Sequence, residues 1–218
     1  MYFTSRMQAG RMLANQLAPK YRYENCAVVC LDDGGVMVGA QIAMRLHCVM
    51  TMMLTSEIKL PRENISVGGI TAGGEFSYNT AFSPGEIDEM VSEYRGLIDQ
   101  EKREKMHDMN RLLGVGGMIR SDLLKGHNVI LVSDGLSSGF VLDLAAEFLK
   151  PIAIERLIVA TPIASVPAVD RMHVLADEIC CLDVITDYMT TDHYYDKQDV
   201  PSHEAVVKTI EQIVLHWG

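Results

Sequence analysis

Long apolar runs, basic charge and paired cysteines are all scarce in this chain, and each shortage removes a class of function. Apolar runs such as those at 26–31 and 128–132 fall far short of the roughly 20 residues that a bilayer-spanning helix needs. Against 29 acidic residues there are 19 basic ones, a net charge of -10. That balance excludes a broad basic surface for nucleic acid and leaves any bound phosphate to a local site. The five cysteines, Cys26, Cys30, Cys48, Cys180 and Cys181, form no C-x-x-C pair and fall mostly in apolar runs, so reduced core thiols are expected. No Pro/Gly/Ser-rich stretch divides the 218 residues, and one domain over 1–218 is expected. Residues 1–10 carry Arg6 and no apolar stretch, which speaks against a secretory signal and for a cytoplasmic protein.

What is present is a series of short apolar strands alternating with helical patterns. Arg6 to Leu17 has helical spacing, with Pro19 expected to close it. Cys26 to Leu31 reads as a strand buried on both faces, Gly34-Gly35 as a turn, Val36 to Leu46 as a helix and Cys48 to Leu54 as the next strand. Glycines at 68–69 and 73–74, between Ile65-Ser-Val and Phe76-Ser-Tyr, suggest a hairpin standing off the main sheet. Ser83-Pro84-Gly85-Glu86 carries a capping box and opens a long charged helix to about Asn110. Strands at Asn128 to Val132, Arg156 to Ala160 and Glu178 to Leu182 alternate with helices at Phe140 to Leu149 and Val166 to Leu175, and Ser202 to His216 closes the chain. The fold class is α/β, a doubly wound, mostly parallel sheet with a small hairpin or hood, and ligands are expected beyond the carboxyl ends of its strands.

One such strand end stands out. Val129-Ile-Leu-Val132 runs into Ser133-Asp134-Gly135-Leu136-Ser137-Ser138-Gly139, which opens the helix at Phe140. A glycine-flanked loop there aims unpaired N–H groups and the positive end of a helix dipole at an anion, and phosphate is the natural guest. A plain strand-to-helix turn with a serine cap is the competing interpretation.

These residues resemble a known family. Val129 to Gly139 is similar to the phosphoribosyl pyrophosphate signature of type I phosphoribosyltransferases, in which an apolar strand leads into D-D-G-I-A-T-G-A-T. Nearly the whole chain resembles a small bacterial branch of that family. Phe3, Arg6, Ala9-Gly10 and Leu13-Ala14 match its opening helix, and Gly34-Gly35-Val36 matches its R-G-G-V turn. Ala43 and Leu46 match its next helix, and Pro61, Glu63 and Val67-Gly68 its P-x-x-P-E-x-A-x-G-A segment. Gly126, Pro162, Ala176-Asp177-Glu178, Tyr194-Tyr195 and Asp199 follow in order. The resemblance implies transfer of a phosphoribosyl group to a base or amine with departure of Mg²⁺-bound pyrophosphate, with a phosphorylated ribose or nucleotide as ligand and a homodimer left open. It would place the 5′-phosphate on the N–H groups of Leu136 to Phe140, helped by Ser138. It would also place ribose hydroxyls on Asp134, the group assigned to catalysis, and pyrophosphate over Asp33, Gly34 and Gly35.

Four departures weaken pyrophosphate chemistry. Ser133 replaces the first acidic residue of the signature. Asp32-Asp33 replaces the proline-arginine before the double glycine, putting like charge where an anion docks, on the order of 1 kcal/mol or more per pair. Ser56-Glu57 stands where arginine-lysine is expected, with Lys59 or Arg62 as possible substitutes. Phe140-Val141 removes a hydroxyl donor. A non-catalytic relative that binds a nucleotide or phosphate ester is therefore the alternative function.

Other readings are open. Asp32 and Asp33 are candidate Mg²⁺ ligands, against the commoner role of a solvated pair. Gly135-Leu-Ser137-Ser-Gly139 also fits G-x-S-x-G, with Asp183 or Asp187 and His193 or His203 downstream as remote hydrolase partners. His193-Tyr194-Tyr195-Asp196 is either a base-stacking loop or, preferred here, a packed anchor. Lys102, Arg103, Lys105 and Arg111 read as a salt-bridged helix face.

Overall fold

The computed structural model describes residues 2–60, 66–113 and 121–215. Its main sheet is parallel and holds β1 (Cys26–Cys30), β2 (Val49–Met52), β6 (Asn128–Val132), β7 (Arg156–Ser165) and β8 (Glu178–Ile185), in the order β2-β1-β6-β7-β8. The chain passes from β1 outward to β2 and later returns to the other side of β1 as β6. Strand order thus reverses between β1 and β6, the switch point where open α/β sheets hold ligands.

Alternate strand residues explain the three layers. Val28, Cys30, Ile130 and Val132 pack against α1 (Arg6–Tyr21), α2 (Asp33–Leu46) and α6 (His203–Leu215). Ala27, Val29, Val129 and Leu131 face α4 (Phe140–Leu149) and α5 (Val166–Leu175). Both faces are dry, as the unbroken apolar strands require, and each buried Val or Leu stabilises the fold by about 1.5–3 kcal/mol.

The expected hairpin is one strand larger. β3 (Thr55–Lys59), β4 (Ser66–Thr71) and β5 (Phe76–Tyr78) form an antiparallel sheet in that order. β3 was not legible because Thr-Ser-Glu-Ile-Lys carries a single apolar residue. α3 (Pro84–Leu113) covers this sheet through Ile98, which packs with Leu60 and Val67. Its capping box forms as expected, with the Ser83 N–H donating to Glu86 Oε2 at 2.8 Å. On the side facing the body, a Cβ on Gly69 would lie 2.9 Å from the Phe140 ring, so only glycine lets β4 seat directly on α4.

Of the boundaries that differ from expectation, three have a clear physical reason. α1 runs through Pro19 to Tyr21, since the missing proline N–H falls near the helix end and the Arg22 N–H still reaches the Ala18 carbonyl at 3.2 Å. Gly34-Gly35 belongs to the first turn of α2, because Asp32 caps that helix through the Gly35 N–H. β7 continues past Pro162 to Ser165. Its pairing with β6 ends at Ala160, while Ile163, Ala164 and Ser165 pair with Asp183, Val184 and Ile185 of β8.

Candidate functional site

The switch point brings two turns together. The Leu31 N–H donates to the Val132 carbonyl at 2.9 Å, so the Asp32-Asp33 turn after β1 lies beside the Ser133–Gly139 loop after β6. The Ser133 hydroxyl donates to Asp32 Oδ2 at 2.6 Å, and its oxygen accepts the Gly135 N–H at 3.2 Å. Gly34 is required here, because a Cβ would lie 2.5 Å from the Asp134 carboxyl carbon.

Asp134 points inward to Arg6 rather than outward. Arg6, only 1% exposed, sits at the start of α1 and donates from Nε to Asp134 at 2.6 Å, from Nη1 to Asp199 at 3.3 Å and from Nη2 to Asp192. Its guanidinium carbon lies 4.5 Å from the centre of the Tyr195 ring, and the Tyr195 hydroxyl donates to the Asp134 carbonyl at 2.6 Å. One buried cation therefore ties α1, the β6 loop and the segment after β8 into a single clamp. Tyr194 and Tyr195 are buried, as the anchor reading expects.

Protonation follows from this crowding. Burial pushes the Asp32 carboxyl well above the usual carboxylate range, the neighbouring Asp134 charge pushes it further, and the hydrogen bonds from Ser133 and Gly35 only partly oppose this. Burial raises Asp134 as well, but Arg6 pulls it back, so Asp134 is the ionised member of the pair. A carboxyl raised in the folded state binds a proton that the unfolded chain has released. Stability contributed by Asp32 is therefore present below about pH 3.9 and declines as pH rises towards the raised folded value. Asp32→Asn keeps the helix cap and removes this titration. The variant is expected to gain stability over the wild type at pH 7.5 and to lose most of that gain at pH 4. Urea denaturation at the two values checks it, and a pH-independent difference would contradict the assignment.

The residues of the Ser133–Gly139 loop are placed as follows. The Leu136 N–H donates to the Ile163 carbonyl at 3.0 Å, and the Ser165 N–H returns to the Leu136 carbonyl at 2.8 Å, so Leu136 anchors the loop to β7. The Ser165 hydroxyl holds the Ser137 carbonyl at 2.9 Å. Among the described residues, the N–H groups of Ser137, Ser138, Gly139 and Phe140 donate to no protein acceptor, and the Ser137 and Ser138 side chains are exposed. Gly135 lies under Thr191, whose Cγ2 would be 2.8 Å from a Cβ. Gly139 lies under Arg171, whose Cγ would be 2.5 Å from a Cβ. Arg171 Nε in turn donates to the buried Asp143 at 2.5 Å, and Thr80 of the hood donates to the other Asp143 oxygen at 2.8 Å. The Phe140 side chain faces the hood, leaving its backbone to the loop.

Among the described residues, the other basic candidates show local contacts only. Lys59 is exposed on β3, 3.8 Å from Glu57. Lys102 lies over the Phe76 ring at 3.4 Å, and the Arg111 side chain and Arg62 lie outside what is described. No histidine or carboxylate hydrogen-bonds Ser137 among the described residues. His193 meets the Tyr2 hydroxyl at 3.0 Å and His203 meets Asp33 at 3.1 Å, so a Ser–His–acid relay is not assembled. Asp32 does not fit a cation, since both oxygens already accept hydrogen bonds and burial favours its neutral form. Asp33 alone keeps a free carboxylate oxygen, and among the described residues no group of three His, Cys, Asp or Glu side chains is arranged to hold a metal.

The sequence reading missed the clamp. The signal was there: Arg6 lies in register with Ala9, Leu13 and Leu17 on the apolar stripe of α1, where an arginine demands buried acidic partners.

Known proteins carry the same frame. A crystal structure of the Thermus thermophilus protein TT1426 superposes with a TM-score of 0.71 at 24% identity, covering 100% of both chains. A Neisseria gonorrhoeae protein solved with bound ppGpp covers 95% of each chain with a TM-score of 0.50 at 12% identity. In sequence, a Mycobacterium tuberculosis protein whose name assigns it provisionally to the phosphoribosyl transferases is 24% identical over 182 residues, 83% of this chain. The chain spans 40% of the length of that relative. The phosphoribosyl transferase domain pattern matches residues 4–205, and the chain belongs to that family.

Proposed function

We propose that the chain binds a 5-phosphorylated ribose, as a nucleotide or simple sugar phosphate, and that its pyrophosphate-binding half is disabled. One observation carries this reading. Among the described residues, the four N–H groups of Ser137 to Phe140 remain unpaired at a helix start, while Arg6, the cation that reaches the β1 turn beside Gly34, is already neutralised by carboxylates. Arg6 alone faces three of them. A monophosphate needs only the first feature. A departing pyrophosphate needs positive charge at the second.

The transfer reaction of the family is the second reading, and Asp33 favours it: one free carboxylate oxygen suits a Mg²⁺ delivered by pyrophosphate itself. Calorimetry separates the two. Ribose 5-phosphate and a nucleoside monophosphate form one arm. Phosphoribosyl pyrophosphate with and without Mg²⁺ forms the other. The monophosphates are expected to bind at least as tightly as phosphoribosyl pyrophosphate with Mg²⁺. A preference for the Mg²⁺-pyrophosphate form, with released pyrophosphate when a base is added, would establish the transferase instead.

Charge restoration gives a further expectation. Asp33 is half-buried with one partner, so Asp33→Arg is expected to fold and to return a cation to the turn. Affinity for phosphoribosyl pyrophosphate should rise by roughly 1 to 3 kcal/mol, with little change for ribose 5-phosphate. Equal shifts for both ligands would mean that the turn does not face pyrophosphate. Ser133→Asp is not a useful partner mutation, because the new carboxylate would press on Asp32.

A further inference from the structure

On the face of the molecule formed by α1, α2 and α6 lies a groove of about 550 Å³ that the phosphate site does not use. α1 and α6 each pack on α2, which forms the floor. Met37, Ala40, Gln41 and Met44 recur at one-turn spacing along that floor, and Met7 and Ile213 form the walls. A second hollow of about 240 Å³ continues it past Gln41 and Met44 to Arg11 and Arg45.

The arginines are the unusual part. In a chain with ten more acidic than basic residues, Arg11 donates to Gln41 at 3.2 Å, and among the described residues neither Arg11 nor Arg45 has a carboxylate partner. A methionine-lined trough ending in two unneutralised guanidinium groups calls for a ligand that is apolar along its length and anionic at one end.

Dimensions decide between a small molecule and a docking helix. A helix about 10 Å across fills roughly 420 Å³ per turn, so the groove would take little more than a single turn. From Met37 to Arg45 the floor advances eight residues, about 12 Å at 1.5 Å per residue, the length of an extended chain of roughly ten carbons. We propose that this groove binds a single-chain amphipathic carboxylate, its alkyl chain along α2 and its head group between Arg11 and Arg45. Thioether side chains adapt to such a chain without fixed shape complementarity, and two guanidinium forks match the carboxylate.

The test is calorimetric titration of the full chain with sodium decanoate below its micellar range, beside decylammonium chloride and sodium acetate. Decanoate is expected to bind, acetate not to bind, and decylammonium to bind at least tenfold more weakly. Arg11 and Arg45 are both exposed, so the Arg11→Gln/Arg45→Gln variant should fold and lose at least tenfold in decanoate affinity. Met44→Glu should lose binding altogether. Titration of the same variants with ribose 5-phosphate should match wild type, which separates this site from the phosphate loop. No decanoate binding, equal affinity for both head groups, or an unchanged double variant would overturn the proposal. So would a dimer in sedimentation that Met44→Glu dissociates, since a second copy would then own the groove.

Discussion

Arg6→Met should unfold more readily than any substitution on the surface of the protein, losing about 3–5 kcal/mol at neutral pH. The residue is buried, and its removal leaves Asp134 ionised in an apolar setting while Asp192 and Asp199 lose their common partner. Methionine fills similar volume, so the loss reports charge rather than a cavity. The pH dependence distinguishes the two. Without Arg6, the Asp134 carboxyl rises further in the folded state, so protonation on acidification relieves the buried charge. The difference from wild type should shrink as pH falls from 7.5 to 4.5. Denaturant midpoints across that range measure it, and a penalty constant with pH would assign Arg6 a packing role only. Loss of ligand binding should accompany loss of stability, because Arg6 holds both the β6 loop and the Asp192 segment in place.

Ser138→Asp should weaken ribose 5-phosphate binding by tenfold to a hundredfold or more without unfolding the chain. The side chain is exposed and bonds nothing, so the folded state loses little. A carboxylate about 5 Å from a phosphate charge opposes it by roughly 0.8 kcal/mol in water and about 3 kcal/mol at an effective dielectric of 20. Ser138→Ala removes a single hydroxyl and should lose only about 0.5–1.5 kcal/mol. If the aspartate variant bound as tightly as the alanine one, the phosphate would not sit on this loop. Gly139 is a poorer probe, because any Cβ there collides with Arg171 and mixes a packing defect with the ligand effect.

Local signals and long-range ones were not equally legible. Asn128–Val132, Phe140–Leu149 and Val166–Leu175 follow the sequence reading residue for residue, and the two helices have sharp starts at Gly139 and at the Ser165 cap. The capping box at Ser83 and Glu86 likewise declares its helix. Where elements run past expectation, tertiary contacts outweigh a local breaker: Pro19 is tolerated because Tyr21 is buried and bonds Glu178 at 2.7 Å, and Pro162 because β8 pairs around it. The loop after β6 was legible as a strand-to-helix turn with free N–H groups because glycine spacing and helix start are neighbours in sequence. The clamp was not, because Arg6 and Asp134 are 128 residues apart and no periodicity encodes which buried charges meet. The same holds for Arg171 over Gly139 and for His203 against Asp33, both made by elements that converge only in the folded chain.

The central claim is that the free N–H groups after β6 hold a phosphate. Titrating ribose 5-phosphate into ¹⁵N-labelled protein and following backbone amides tests it at the atoms concerned. Ser137, Ser138, Gly139 and Phe140 are expected to show the largest saturable shifts, with Leu136 moving less because its N–H is already bonded to Ile163. Inorganic phosphate should displace the sugar phosphate from the same amides. Saturable shifts centred elsewhere, with these four unmoved, would contradict the account.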